Sequence, residues 1–95
     1  MALIGSFTKQ PGEILDFDIS YVTVLTGRSD TISTKIVTVI PTGLTIVSST
    51  IVGGNLIKVI ASSGTNNTSY KVTTAATSTA GLVYEDEVTI LIVEV

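Results

Sequence analysis

From Glu13 the chain alternates: in EILDFDIS, Leu15, Phe17 and Ile19 share one face, and Asp16, Asp18 and Ser20 the other. Such a period of two is the signature of a half-buried strand. It predicts a strand over Leu15–Val24, ended by the turn cluster Gly27-Arg28-Ser29-Asp30. The next runs are nearly all β-branched. Thr31–Ile40 stops at Pro41, which cannot donate to a ladder. Pro41-Thr42-Gly43 turns the chain into Leu44–Val52, and Gly53-Gly54-Asn55 reads as a hairpin connection into Leu56–Ser62. The polar stretch Ser62–Asn67 is a loop feeding Ser69–Thr77, where Tyr70, Val72 and Thr74 share a face. After a tip at Ser78–Gly81, Val83–Val95 turns Val88, Ile90 and Ile92 inward. Residues 2–8 read as a further short strand or as an arm. Helical periodicity is absent, and turn signals every ~8–12 residues are those of an antiparallel sandwich. The expected core is Leu15, Phe17, Ile19, Ile32, Leu44, Ile46, Tyr70, Val72, Val88, Ile90 and Ile92.

Composition strengthens the strand reading. Val, Ile and Thr make up forty of the 95 residues, and β-branched side chains lose rotamer freedom in helices but pack well on a pleat. A chain of this length is one domain. Its net charge is -3, and its five cations (Lys9, Arg28, Lys35, Lys58, Lys71) are scattered. That argues against a nucleic-acid binder, which needs a basic face to release counterions. No apolar run approaches the ~18–20 residues of a membrane span. The start, MALIGSFTKQ, lacks the basic region of a signal peptide.

The chemistry on offer is thin. With no His and no Cys, thiolate zinc sites, thiol nucleophiles and His-based Ser catalysis are excluded. The ten serines and four lysines make chance Ser–Lys pairs easy, so such a pair carries no weight. Carboxylates cluster at Asp16 with Asp18, and at Glu85, Asp86 and Glu87. A calcium site would draw oxygens from both clusters, but the spacing is not an EF-hand. Outward charges on half-buried strands are ordinary, so solvated surface is the favoured reading. A glycosidase pair would need a sugar-holding cleft, for which short turns and five aromatic residues provide little material. Asn66-Asn67-Thr68-Ser69 contains overlapping glycosylation sequons, read here as turn formers. Tyr70, opening a strand after a polar loop, sits where Ig-like sandwiches close a corner through a hydroxyl-to-backbone bond. No catalytic, cofactor-binding or metal residue is assigned.

The string FTKQPGEILDFDISYVTVL, then SDTIST and PTGLTIVSST, resembles a family of short tailed-phage virion proteins. The matching residues are Phe7, Thr8, Lys9, Pro11, Leu15, Asp16, Phe17 and Ile19, then Asp30, Thr31, Ile32 and Ser33. They continue with Pro41, Gly43, Leu44, Thr45, Ser48 and Ser49. Gly64, Thr65, Tyr70, Val72 and Thr73 match the next block, and Thr79, Ala80, Gly81, Glu85, Asp86 and Glu87 meet the last one loosely. Val39-Ile40 stand where the family commonly has an aromatic residue, and the basic residues usual near its C-terminal hairpin are missing. The resemblance implies an Ig-like sandwich serving as a fibre-to-tail adaptor or another accessory virion component.

The expectation is therefore an all-β protein with one antiparallel Ig-like β-sandwich of six to eight strands spanning residues 1–95, residues 1–10 being a candidate docking arm. It is a non-enzymatic bacteriophage structural protein, made in the host cytoplasm and incorporated in the virion in many copies, as a homo-oligomer. Its partners are other virion proteins, with a tail or fibre position favoured over capsid decoration. An adhesion or carbohydrate-binding module is the alternative. The candidate interface is Ala2, Leu3, Ile4, Phe7 and Thr8, apolar, short of charge and closed off by Pro11-Gly12.

Overall fold

A computed structural model describes residues 2–22, 25 and 27–94, with the backbone alone described for residues 2–4. Seven strands are described: β1 (Ala2–Lys9), β2 (Leu15–Ser20), β3 (Ile32–Ile40), β4 (Leu44–Val52), β5 (Leu56–Ser63), β6 (Thr68–Ser78) and β7 (Val83–Ile92). They form a four-stranded sheet ordered β1-β7-β6-β3 and a three-stranded sheet ordered β2-β5-β4. The all-β sandwich expected from the alternation is what the chain adopts. β1 and β2 edge one side, where the Phe7 and Phe17 rings lie 5.4 Å apart. β3 and β4, joined through Pro41-Thr42-Gly43, approach each other on the opposite side.

Five of the six strands expected from the sequence end within a few residues of the observed bounds. The exception is the first, which stops at Ser20. The Leu25 amide donates to the Tyr21 carbonyl over 3.0 Å, a tight turn that a run of mixed apolar and polar residues does not announce. The expected end at Val24 lies outside the described residues, as does the expected end of the last strand at Val95. Of the two forms open to residues 2–8, the chain takes the strand. β1 pairs with β7 in parallel, Phe7 opposite Ile90 and Lys9 opposite Ile92, so the sandwich is not wholly antiparallel. A parallel pair needs a long connection, and here almost the whole chain supplies it.

The core confirms nine of the eleven expected residues: Phe17, Ile19, Ile32, Leu44, Tyr70, Val72, Val88, Ile90 and Ile92 are buried. Ile46 is half-buried against them. Leu15 is corrected: it lies on the inward face, yet at 36% exposure it sits at the open mouth between the sheets. Alternation identifies the face of a strand, not the depth of each position along it. The omitted centre is β5, where Ile57, Val59 and Ala61 are buried between β2 and β4.

Candidate interaction surfaces

β1 carries the residues expected to dock. From Gly5 on, it alternates over the inward residues of β7, so Phe7 and Lys9 point between the sheets while Ser6 and Thr8 are exposed on the outer face. Phe7 keeps 43% of its surface in solvent. Ala2, Leu3 and Ile4 share the strand, with an irregularity between Leu3 and Gly5; their side chains lie outside the described residues. Beneath Phe7, a cavity of about 110 Å³ opens between the sheets, lined by Phe7, Leu15, Phe17, Ala61 and Ile90 among others.

Lys9 anchors this side. It is buried, and its ammonium donates to the carbonyls of Gln10 at 2.8 Å, Ser63 at 2.5 Å and Pro11 at 3.4 Å. These three acceptors match its three donors and tie the end of β1 to the end of β5. Burial pushes its pKa below the usual lysine value, against the nearby charge of Glu13. Counting scattered cations gave no hint of this one's burial.

Tyr70 closes the corner expected of it. The ring is buried, and its hydroxyl accepts a hydrogen bond from the Thr65 amide at 2.9 Å in the loop before β6. Hydrogen bonding from Thr65, its side chain first and its amide next, lowers the Tyr70 pKa. Gly43 lies against it, at φ 128°, and a Cβ there would stand 2.7 Å from the Tyr70 hydroxyl. Only glycine combines that φ with so close an approach. One ring thus fixes the β3–β4 turn against the loop before β6.

Asp30 latches the opposite pole. Its Oδ1 accepts from the Thr31 amide at 2.8 Å, the Thr79 hydroxyl at 2.5 Å and the Ala80 amide at 3.3 Å. The Thr79 hydroxyl foremost, then the nearby Ser78 side chain and the Thr31 and Ala80 amides, pull its pKa down to about 2. These bonds hold the segment entering β3 against the β6–β7 hairpin. Lys9, Asp30, Gly43 and Tyr70 all belong to the blocks that carry the family resemblance, and each is a structural lock.

The carboxylate clusters stay apart in role. Asp16 and Asp18 are exposed on β2 and share Lys58 of the neighbouring strand, at 3.1 and 3.3 Å. The Lys58 ammonium holds the pKa of Asp16 below its ordinary value, and the two carboxylates, Asp16 first, raise that of Lys58. On β7, Glu87 lies 3.7 Å from Lys71. No group of three or more His, Cys, Asp or Glu that could hold a metal occurs among the described residues. No described helix is long and apolar enough to cross a membrane.

Exposed apolar residues that sequence reasoning passed over include three on β3 and β4, besides Ile14 before β2 and Val83 at the start of β7. Ile36 is 67% exposed, Ile40 64% and Val47 54%. A signal for them existed: residues 31–57 carry a single charge, Lys35. Edge position, which turns that gap into an open surface, comes only from topology.

Turns and hydrogen bonds thus lock the sandwich, and β1, β2, β3 and β4 are its open strand edges. The chain belongs to the podophage fibre-tail adaptor family: the model described as "Podophage GP4 fiber-tail adaptor protein gp77" matches residues 9–91. It is thereby a phage structural protein of the virion. No curated protein matches the chain.

Proposed function

We propose that this protein is a non-enzymatic adaptor at the junction of fibre and tail in a podophage particle, joining its partners through strand edges of an Ig-like domain. The family match over residues 9–91 carries this reading. It favours the tail over the capsid exterior. The buried Tyr70 corner supports the Ig-like assignment.

The proposed interface is the outer edge of β1: Ala2, Leu3, Ile4, Phe7 and Thr8. β1 is the outermost strand of its sheet, so its outer backbone groups are free to accept an extended segment of a fibre or tail protein by strand addition. The half-exposed Phe7 offers an apolar anchor beside that edge. An adhesion module is disfavoured by the fate of the aromatics. Sugar-binding faces display stacked rings, whereas Phe17, Tyr21 and Tyr70 are buried and Tyr84 is half-buried.

The test leaves the fold intact. Lysines at exposed Ser6 and Thr8 blunt a strand edge without touching the core. The variant S6K/T8K is expected to keep the wild-type circular dichroism and melting temperature, yet to be missing from purified particles. Normal incorporation would move the interface to the loop tips at Gly53–Asn55 and Asn66–Asn67. Deleting residues 1–10 is the poorer experiment, because it also removes buried Lys9 and one strand of the sheet.

A further inference from the structure

The opposite side of the sandwich bears a second surface. β3 is the outermost strand of the four-stranded sheet, and β4 the outermost of the three-stranded one. Joined by Pro41-Thr42-Gly43, they form one continuous arch, Ile32–Val52, with a strand in each sheet. Natural edges are commonly blunted by charge, proline or short length. β3 is nine residues long, has no internal proline and holds one charge, Lys35; β4 is equally long and has none. Ile36, Ile40, Val47 and Val52 are exposed.

We propose that this edge is where two copies of the chain associate, β3 pairing antiparallel with β3 of the second copy across a two-fold axis perpendicular to the sheets. Irregularities in the strands select β3 over β4 as the pairing element. β4 is broken in register between Ile46 and Ser48, in mid-strand, whereas the shift in β3 falls between Ile32 and Thr34, at its start. Bulges bend and twist a strand away from regular pairing, so Thr34–Ile40 is the regular stretch and β4 contributes side-chain contacts such as Val47.

Charge selects a second copy as the occupant. A register with Ile36 on the axis places Ile36 opposite the partner's Ile36, an apolar cross-strand pair. The same register sets Lys35 opposite the partner's Val37, so the only charges on the edge do not meet. A strongly charged partner would find one lysine to pair with; an identical uncharged edge finds its match. The result is an eight-stranded sheet whose two ends are both β1. A dimer would therefore offer two β1 edges to virion partners, and linked sites bind more tightly than single ones.

The experiment needs no virion. Light scattering and sedimentation of the full chain across a dilution series should show a species of twice the 9.9 kDa chain mass, dissociating on dilution. The variant I36K/V47K alters only exposed positions and should be monomeric with an unchanged circular dichroism spectrum, while S6K/T8K stays dimeric. Amide exchange of the wild type should slow at Thr34–Ile40 as concentration rises, a readout independent of any variant's folding. A wild type that is monomeric throughout, a folded I36K/V47K that remains dimeric, or protection appearing on β1 in place of β3 would each overturn the proposal.

Discussion

On one side of the sandwich β1 lies over β2, and on the other β3 lies over β4, yet the two sides are finished differently. β2 has six residues, two of them outward carboxylates bridged by Lys58. Its inward Phe17 meets Phe7, and below β1 the buried Lys9 is caged by carbonyls. The β3 and β4 edges are longer, almost without charge, and expose isoleucine and valine. Charged short edges resist sheet extension, and long apolar ones invite it. On the first side β2 is therefore guarded against sheet extension, whereas neither edge strand of the second side is. The β1 edge, at the margin of the first, remains open for a different partner.

The largest expected effect tests this division directly. Phe17→Ala should cost roughly 3–5 kcal/mol in denaturant unfolding, the usual toll of emptying a core aromatic site. Ile36→Ala, at a more exposed apolar position on the other side, should stay within about 0.5 kcal/mol when measured on the monomer. Comparable losses at both positions would erase the distinction between a stabilising and an associating side.

A smaller loss is expected where the β3–β4 arch is fastened to the body. Gly43→Ala must adopt a positive φ and drive its Cβ toward the Tyr70 hydroxyl, which should cost roughly 1–3 kcal/mol. Chemical denaturation measures it. A neutral substitution would mean that the arch is held by its strands alone and not by the tyrosine corner.

Acid sensitivity locates a third fastening. The folded pKa of Asp30, about 2, lies below the ~3.9 of an unfolded aspartate. Its contribution is therefore complete above that unfolded value and is lost as pH falls through roughly 4 toward 2. Asp30→Asn should lower stability at neutral pH, where the wild-type carboxylate contributes fully, and meet the wild type at the acid end, so that this part of the stability–pH curve flattens. A variant as stable as the wild type at neutral pH would remove Asp30 from the latch.

Much of this was legible in the chain, and the reasons are local. Alternation in residues 13–20 placed Phe17 and Ile19 inside, and turn residues placed the hairpins. Tyr70 declared its corner by standing at a strand start after a polar loop. What was hidden depends on long-range pairing. Ile57, Val59 and Ala61 are central because β5 is flanked on both sides, whereas its own sequence is apolar on both faces in places. Lys9 looks like any surface lysine until Ser63, far along the chain, brings it a carbonyl. The docking role expected of residues 1–10 rested on their apolar character; the structure adds that they are an edge strand, which gives that role a geometry. The strongest association signal, the charge gap over residues 31–57, was readable all along but had no meaning until both strands proved to be edges.

The subtlest expected effect turns one side into the other. If the carboxylates of β2 keep its edge solitary, removing them should create an association surface without altering the fold. Both side chains are exposed, and exposed ion pairs contribute little to stability. D16T/D18T should therefore melt close to the wild type. It also leaves Lys58 alone on the neighbouring strand, where a single exposed cation is readily solvated. The backbone of β2 would then present a charge-free outer edge beside Leu15, itself part-exposed at the mouth of the sheets. Sedimentation of D16T/D18T combined with I36K/V47K isolates that edge, since the β3 route is closed in the same molecule. Concentration-dependent association of this quadruple variant, absent from I36K/V47K alone, is the expected result. If the quadruple variant stays monomeric, charge is not what guards β2. Its short length and its place over the cavity beneath Phe7 would then be the sufficient barrier, and the contrast between the two sides would rest on strand length in place of charge.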